Sequence, residues 1–177
     1  MGESRPHEAL SPQARAGIVL REQVVEEDAE AVRRIVQSTG FFSDAEVAVA
    51  VELVQERLSR GAASGYHFLL AEQDGRGVGY TCFGPIACTV GSFDLYWIAV
   101  HAAHRRRGLG RLLIARTESA VAASGGRRVY VETSSRPLYE PTRAFYLRCG
   151  YEPAAVLKDF YSPGDDKIIY VKALSSP

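Results

Sequence analysis

A chain of 177 residues with 46% apolar side chains is long enough to bury a substantial core, and its 21 basic and 21 acidic residues cancel to a formal net charge of zero at pH 7. That balance argues against a nucleic-acid or membrane-surface partner drawn in by whole-molecule charge. No apolar run approaches the length of a membrane span, no signal-peptide order opens the chain, and Cys82, Cys88 and Cys149 lack redox or metal-ligand spacing, so a cytoplasmic protein with reduced thiols is expected.

Residues 1–16 carry Gly, Ser, Pro and scattered charges without periodicity and read as a mobile tail; 17–177 read as one domain. Ile18 to Leu20 is a short strand. Acids in the first turn of 26–37, with Val32, Ile35 and Val36 on one face, predict a helix that Thr39 and Gly40 end. Ser43 and Glu46 form a capping-box pattern ahead of a second helix with Val47, Val51, Val54 and Leu58 as its buried stripe. Phe41 and Phe42 lie in the connection, as substrate wall or as a hydrophobic staple. Two strand-like runs, 67–72 and 78–83, flank a polar glycine turn and predict a hairpin.

Residues 93–118 form the informative stretch. Phe93 to Val100 is aromatic and β-branched, as in a central strand, and Leu109, Leu113, Thr117, Ala120 and Val121 return at helical spacing. Between them, Arg105, Arg106, Arg107, Gly108, Leu109, Gly110 and Arg111 place two glycines and four guanidinium groups where a helix begins. Backbone N–H groups there can approach an anion, and the helix dipole adds partial positive charge. A phosphorylated ligand suits this loop; the plainer reading is a solvated basic turn. No Lys-Ser or Lys-Thr follows for a Walker loop, and the third glycine of a dinucleotide fingerprint is missing. A strand at 129–133, a short helix at 141–149 between Pro141 and Gly150, and two strands at 154–160 and 168–172 complete the chain.

Arg105-x-x-Gly108-x-Gly110 after a strand ending Ile98-Ala99-Val100, together with the Phe145-Tyr146 helix that closes on Gly150-Tyr151, resembles the GCN5-related N-acetyltransferase (GNAT) superfamily. The likeness in element order covers roughly residues 18–174. It implies an α/β (α+β) fold: a central mixed, mostly antiparallel sheet with helices on both faces. It also implies an acyltransferase that moves an acetyl group from acetyl-CoA to a primary amine by direct attack in a ternary complex. The alternatives are a protein N-terminal or lysine acetyltransferase and a non-catalytic acyl-CoA-binding module. Acetyl-CoA would be the co-substrate, with no metal, no nucleic acid and no membrane partner; a homodimer stays open.

The resemblance further implies roles. Ile98, Ala99 and Val100 would pair with the pantetheine arm, residues 105–111 would hold the diphosphate, and the Val100 N–H would polarise the thioester oxygen. Tyr146 matches the tyrosine proposed as general acid, the alternative being an aromatic packed in the core. An alkylammonium of reference pKa about 10.4 is neutral in only about one part in 2,500 at pH 7, so a base is expected. Glu132 resembles the glutamate of the branch that acetylates protein N-termini, and Asp94, six residues before Val100, resembles in offset the glutamate of the histone-acetylating branch. Glu132 ranks first for reach; each could be a structural acid. A cofactor-contacting asparagine of the family is replaced here by Tyr139, with Ser134, Ser135 and Thr142 as substitute polar groups. His101 and His104 lack an acid or cysteine to complete a metal site. Phe41, Phe42, Tyr96, Trp97, Phe160 and Tyr161, with Asp94, Asp159, Asp165 and Asp166, would line an acceptor side that favours a small cationic amine.

Overall fold

Strand alternation and helical periodicity resolve, in the computed structural model, which describes residues 17–174, into seven strands and four helices. The tail expected at 1–16 lies outside the described residues. In chain order these are β1 (Ile18–Arg21), α1 (Asp28–Ser38), α2 (Asp44–Arg60), β2 (His67–Gln73), β3 (Arg76–Pro85), β4 (Ser92–Val100), α3 (Leu109–Ala123), β5 (Arg128–Ser134), α4 (Glu140–Arg148), β6 (Glu152–Ser162) and β7 (Asp165–Ala173).

The start of each element follows from local chemistry. The Ser43 hydroxyl accepts the Glu46 N–H at 3.3 Å while the Glu46 carboxylate accepts the Ser43 N–H at 2.8 Å, so the capping box read from sequence is formed in both directions. Buried Asp28 accepts the Val25 N–H at 2.8 Å and pairs with Arg21 at 2.8 Å, and Arg21 also pairs with Glu72 at 2.5 Å. This cluster joins β1, α1 and β2, and its acids hold the Arg21 guanidinium above its ordinary range.

One sheet runs in the order β1-β2-β3-β4-β5-β7-β6. Every neighbouring pair is antiparallel except β4 with β5. Helices α1 and α2 cover one face, where Val32, Ile35, Val54, Phe68, Tyr80 and Ala99 form a core. On the other face α3 and α4 bury Leu95, Ile114, Val121, Val129, Val131 and Tyr146. The mixed, two-sided α/β arrangement read from the sequence is therefore the observed one. The last hairpin is longer than expected: Ser162 pairs with Asp165, so the ladder extends to a turn at Pro163 and Gly164. Edge strand β6 is exposed along its length, and Pro153 and Lys158 blunt it against further pairing.

Two contacts fix α3 on the sheet. A Cβ on Gly79 would stand 3.1 Å from the Ala99 carbonyl oxygen and 3.1 Å from Leu113 Cδ1, so the helix sits where only glycine leaves room. The hydroxyls of Thr81 on β3 and Thr117 on α3 share a hydrogen bond of 2.8 Å at a fully buried position. Replacing one of them strands the other without a partner. Thr117→Val is expected to cost about 1–3 kcal/mol in urea unfolding, and the double variant Thr81→Val/Thr117→Val to recover most of that loss. Additive losses in the double variant would show that the hydroxyl pair is not what holds α3.

Candidate functional site

β4 and β5 pair over three residues each, Ser92, Phe93 and Asp94 with Arg128, Val129 and Tyr130, and then part. β4 goes on pairing with β3 as far as Val100, and β5 with β7 as far as Ser134, so a wedge-shaped gap opens inside the sheet. A register shift at Tyr96, between the pairs Cys82–Trp97 and Phe83–Leu95, bends β4 at this divergence. The His101 N–H donates to the Val78 carbonyl at 2.9 Å. By ladder alternation Ala99 and Trp97 also face β3, which turns the N–H groups of Ile98 and Val100 toward the gap.

Helix α3 starts beside the mouth of this gap. Gly108 is its N-cap at φ +80°, no side chain caps it, and its first helical bond is Leu112 N–H to Gly108 C=O at 3.0 Å. The N–H groups of Leu109 and Gly110 thus precede any intrahelical partner. Where α2 is closed by its own capping box, α3 is left open to an anion. Gly110 faces the Phe145 ring: a Cβ would lie at 3.5 Å, an ordinary contact, so packing within the protein does not demand glycine there. Arg106, at φ +59°, and Arg107 are exposed around the helix start. Arg105 is turned elsewhere. Its guanidinium lies 4.9 Å from the Phe41 ring centroid and donates to the Thr39 carbonyl at 3.3 Å, with burial drawing its pKa below the ordinary value. The loop is tied to α1 by the Ala102 N–H, which donates to the Ser38 hydroxyl at 3.0 Å. The His101 imidazole accepts the Ala103 N–H at 3.3 Å, and among the described residues no group of three or more His, Cys, Asp or Glu gathers to hold a metal.

The candidate acid and bases lie on opposite faces. Tyr146 is buried on the α3/α4 side, its ring 5.7 Å from that of Tyr151 and 6.0 Å from that of Tyr170, and burial pushes its pKa well up. Asp94 and Glu132 alternate with core residues Phe93, Leu95 and Val131 and so face the α1/α2 side. Glu132 is paired with Lys167 at 2.6 Å. Asp94 is half-buried, and burial, helped by the charge of Glu132 and opposed by that of Lys167, pushes its pKa up. The polar groups of 134–142 divide. Buried Ser134 gives its hydroxyl to Asp165 at 2.5 Å and accepts the Arg136 N–H at 3.1 Å, so that hydroxyl ties the end of β5 to the start of β7. The Ser135 hydroxyl accepts the Asp166 N–H at 2.8 Å. Thr142 stands half-buried in the first turn of α4.

On the expected acceptor side, Phe41 lies 5.9 Å from Tyr139, and Phe42, packed against the core, lies 4.9 Å from Trp97. Tyr96 meets Tyr66 edge-on at 5.4 Å. Three of the four aspartates serve the last hairpin. Asp165 pairs with Arg136 at 3.1 Å, Asp166 with Lys158 at 2.7 Å, and Asp159 accepts the Gly164 N–H at 2.7 Å. Sequence reasoning missed Lys167, Tyr66 and Arg136. The signal for Lys167 is a base on β7 within reach of an acid on β5, which needs the strand register, here Ser134 opposite Lys167.

A split sheet with an uncapped glycine-led helix at the split defines an acetyltransferase-type fold. The sequence model of the acetyltransferase (GNAT) domain matches residues 64–153, and the chain belongs to the GNAT acetyltransferase family. A crystal structure from Desulfovibrio desulfuricans, of a protein assigned to that family, is 50% identical, covers 89% of this chain and 99% of its own, and superposes with a TM-score of 0.88. An aminoglycoside 6′-N-acetyltransferase complexed with coenzyme A (18% identity, 90% of this chain, 98% of that one, TM-score 0.71) shares the fold. So does the ribosomal-protein-S18-alanine N-acetyltransferase of Escherichia coli (20% identity, 90% and 96%, TM-score 0.71). No curated protein sequence matches the chain. Among the described residues no helix is long and apolar enough to cross a membrane.

The raised pKa of Asp94 carries a stability consequence. A carboxyl group that binds its proton more tightly when folded contributes stability below its unfolded pKa and loses it as pH rises through the folded value. At pH 7 ionised Asp94 therefore weakens the fold. Asp94→Asn is expected to be more stable than the parent in urea at pH 7, with the difference shrinking as pH is lowered toward the ordinary carboxylate range. An Asn variant less stable at pH 7 would contradict a desolvated Asp94.

Proposed function

We propose that the protein acetylates a primary amine of a small molecule, using acetyl-CoA, by direct attack within a ternary complex. The observation that carries this reading is the gap between β4 and β5, with two backbone N–H groups turned into it and the open start of α3 beside it. Acetyl-CoA would supply the acetyl thioester and a diphosphate. The N–H groups of Leu109 and Gly110 with Arg106 and Arg107 would hold the diphosphate, and the edge at Ile98, Ala99 and Val100 would pair with the amide-bearing arm. The absence of a Cβ at Gly110 keeps the approach open.

In the transfer, an ammonium acceptor first gives up one proton to become the nucleophile; its nitrogen then bonds the thioester carbon as the C–S bond breaks, a second proton leaves the nitrogen, one proton reaches the thiolate and the other passes to solvent. The Val100 N–H would polarise the thioester oxygen, a contribution of typically about 3 kcal/mol for one such donor. Asp94 receives the amine proton in this reading, through water. Glu132 is paired with Lys167, whereas burial raises the proton affinity of Asp94. Tyr146, kept protonated by burial, would return a proton to the sulfur from the opposite face. The acceptor side carries Asp94, Glu132 and several aromatic rings, which suit a cationic amine.

Calorimetric titration with acetyl-CoA tests the cofactor site: saturable binding is expected, weakened about tenfold or more, some 1.4 kcal/mol, in Arg106→Glu/Arg107→Glu. Absence of binding to the parent protein would remove the transferase reading. With a turned-over amine in hand, Tyr146→Phe is expected to lower kcat about 100-fold and leave acetyl-CoA affinity within twofold. Unchanged turnover would assign Tyr146 to the core alone.

A further inference from the structure

Lys167 is an unusual lysine. Lysine side chains are mostly exposed, as is Lys158 on the neighbouring strand at 79%, yet the Lys167 side chain is 13% exposed. Its Nζ lies 2.6 Å from a Glu132 carboxylate oxygen, 3.8 Å from the centre of the Phe160 ring and 5.9 Å from that of Tyr161. A carboxylate with two aromatic rings is the arrangement by which proteins bind alkylammonium groups. The chain therefore carries an ammonium box already filled by its own side chain. The hairpin itself is held by the β6–β7 ladder, by Lys158–Asp166 and by Asp165–Ser134, so it does not depend on this pair.

Charge accounting on this face gives the consequence. Asp94 and Glu132 bring two negative charges close enough to influence each other, and Lys167 returns one positive charge. Of this pair, Asp94 is the carboxylate left for an incoming cation; Glu46 and Asp165 also lie near Tyr161, Asp165 being paired with Arg136. An acceptor with one ammonium group pairs with Asp94; a second has to compete with Lys167 for Glu132 and the two rings.

We propose that Lys167 is a specificity-determining residue: by occupying the box of Glu132, Phe160 and Tyr161, it restricts the site to acceptors with a single ammonium group and discriminates against diamines. This rests on the reading of the α1/α2 face as the acceptor side. The test is equilibrium binding, without turnover, of n-butylamine and 1,4-diaminobutane to the whole protein in the presence of coenzyme A at fixed salt. In Lys167→Met, which keeps the stem and removes the charge, the affinity ratio of diamine to monoamine is expected to rise at least tenfold over the parent. Lys167→Arg is expected to keep the parental ratio. Lys167→Gln stands in if the Met variant does not fold. A ratio within twofold of the parent in the uncharged variant, no amine binding by that variant, or an Arg variant that behaves like it would overturn the proposal. Acetyl-CoA titration of the same samples separates the two ideas: intact acetyl-CoA binding with an unmoved amine ratio sinks the role of Lys167 and leaves the transferase reading standing.

Discussion

The parting of β4 from β5 after three paired residues is the constraint on which the rest of the structure depends. A parallel pair that ran its full length would satisfy its own backbone and leave nothing for a ligand. Here the register shift at Tyr96 bends β4, and the N–H groups of Ile98 and Val100 lose the partner that β5 would have supplied. The apolar core on the α3/α4 face keeps the sheet together across the break, joining Leu95 of β4 to Val131 of β5 and Tyr170 of β7. Tyr146 lies on one face of this divergence and Asp94 and Glu132 on the other.

Electrostatics then divides the passage into two ends. At the α3 end, uncapped N–H groups and exposed Arg106 and Arg107 make a positive environment. On the α1/α2 face near Asp94 the balance is negative. Between them the connection from α1 to α2 forms a bridge, with Phe41 under the Arg105 guanidinium and beside the Tyr139 ring. The Arg105 guanidinium is thus held against this connection by Phe41 and the Thr39 carbonyl.

Most of the fold was legible because its signals are local. Ser43 and Glu46 announced α2, the turn between β2 and β3 announced their hairpin, and Gly108 with Gly110 marked the start of α3. The side-chain pairings around the candidate site were not legible, because they depend on strand register. Nothing in the order of residues shows that Ser134 will spend its hydroxyl on Asp165, 31 positions later, or that Glu132 will meet Lys167. The aspartates near the C-terminal turn looked available for a ligand because a turn rich in acids does not reveal which of them cap their own hairpin. Asp165 and Asp166 became structural once the ladder extended to Ser162.

The fixed seat of α3 has a mechanical meaning. Gly79 and the Thr81–Thr117 bond leave no slack between α3 and β3, so the helix start and the β4 edge form one stiff wall of the gap. The other wall is β5 with β7 and β6, joined to the first within the sheet by the short Ser92–Asp94 seam. Compliance in the sheet is therefore concentrated at that seam, and the softest internal motion is a change in the opening angle. A molecule long enough to touch both walls acts as a splint, turning two stiff leaves and a hinge into one body.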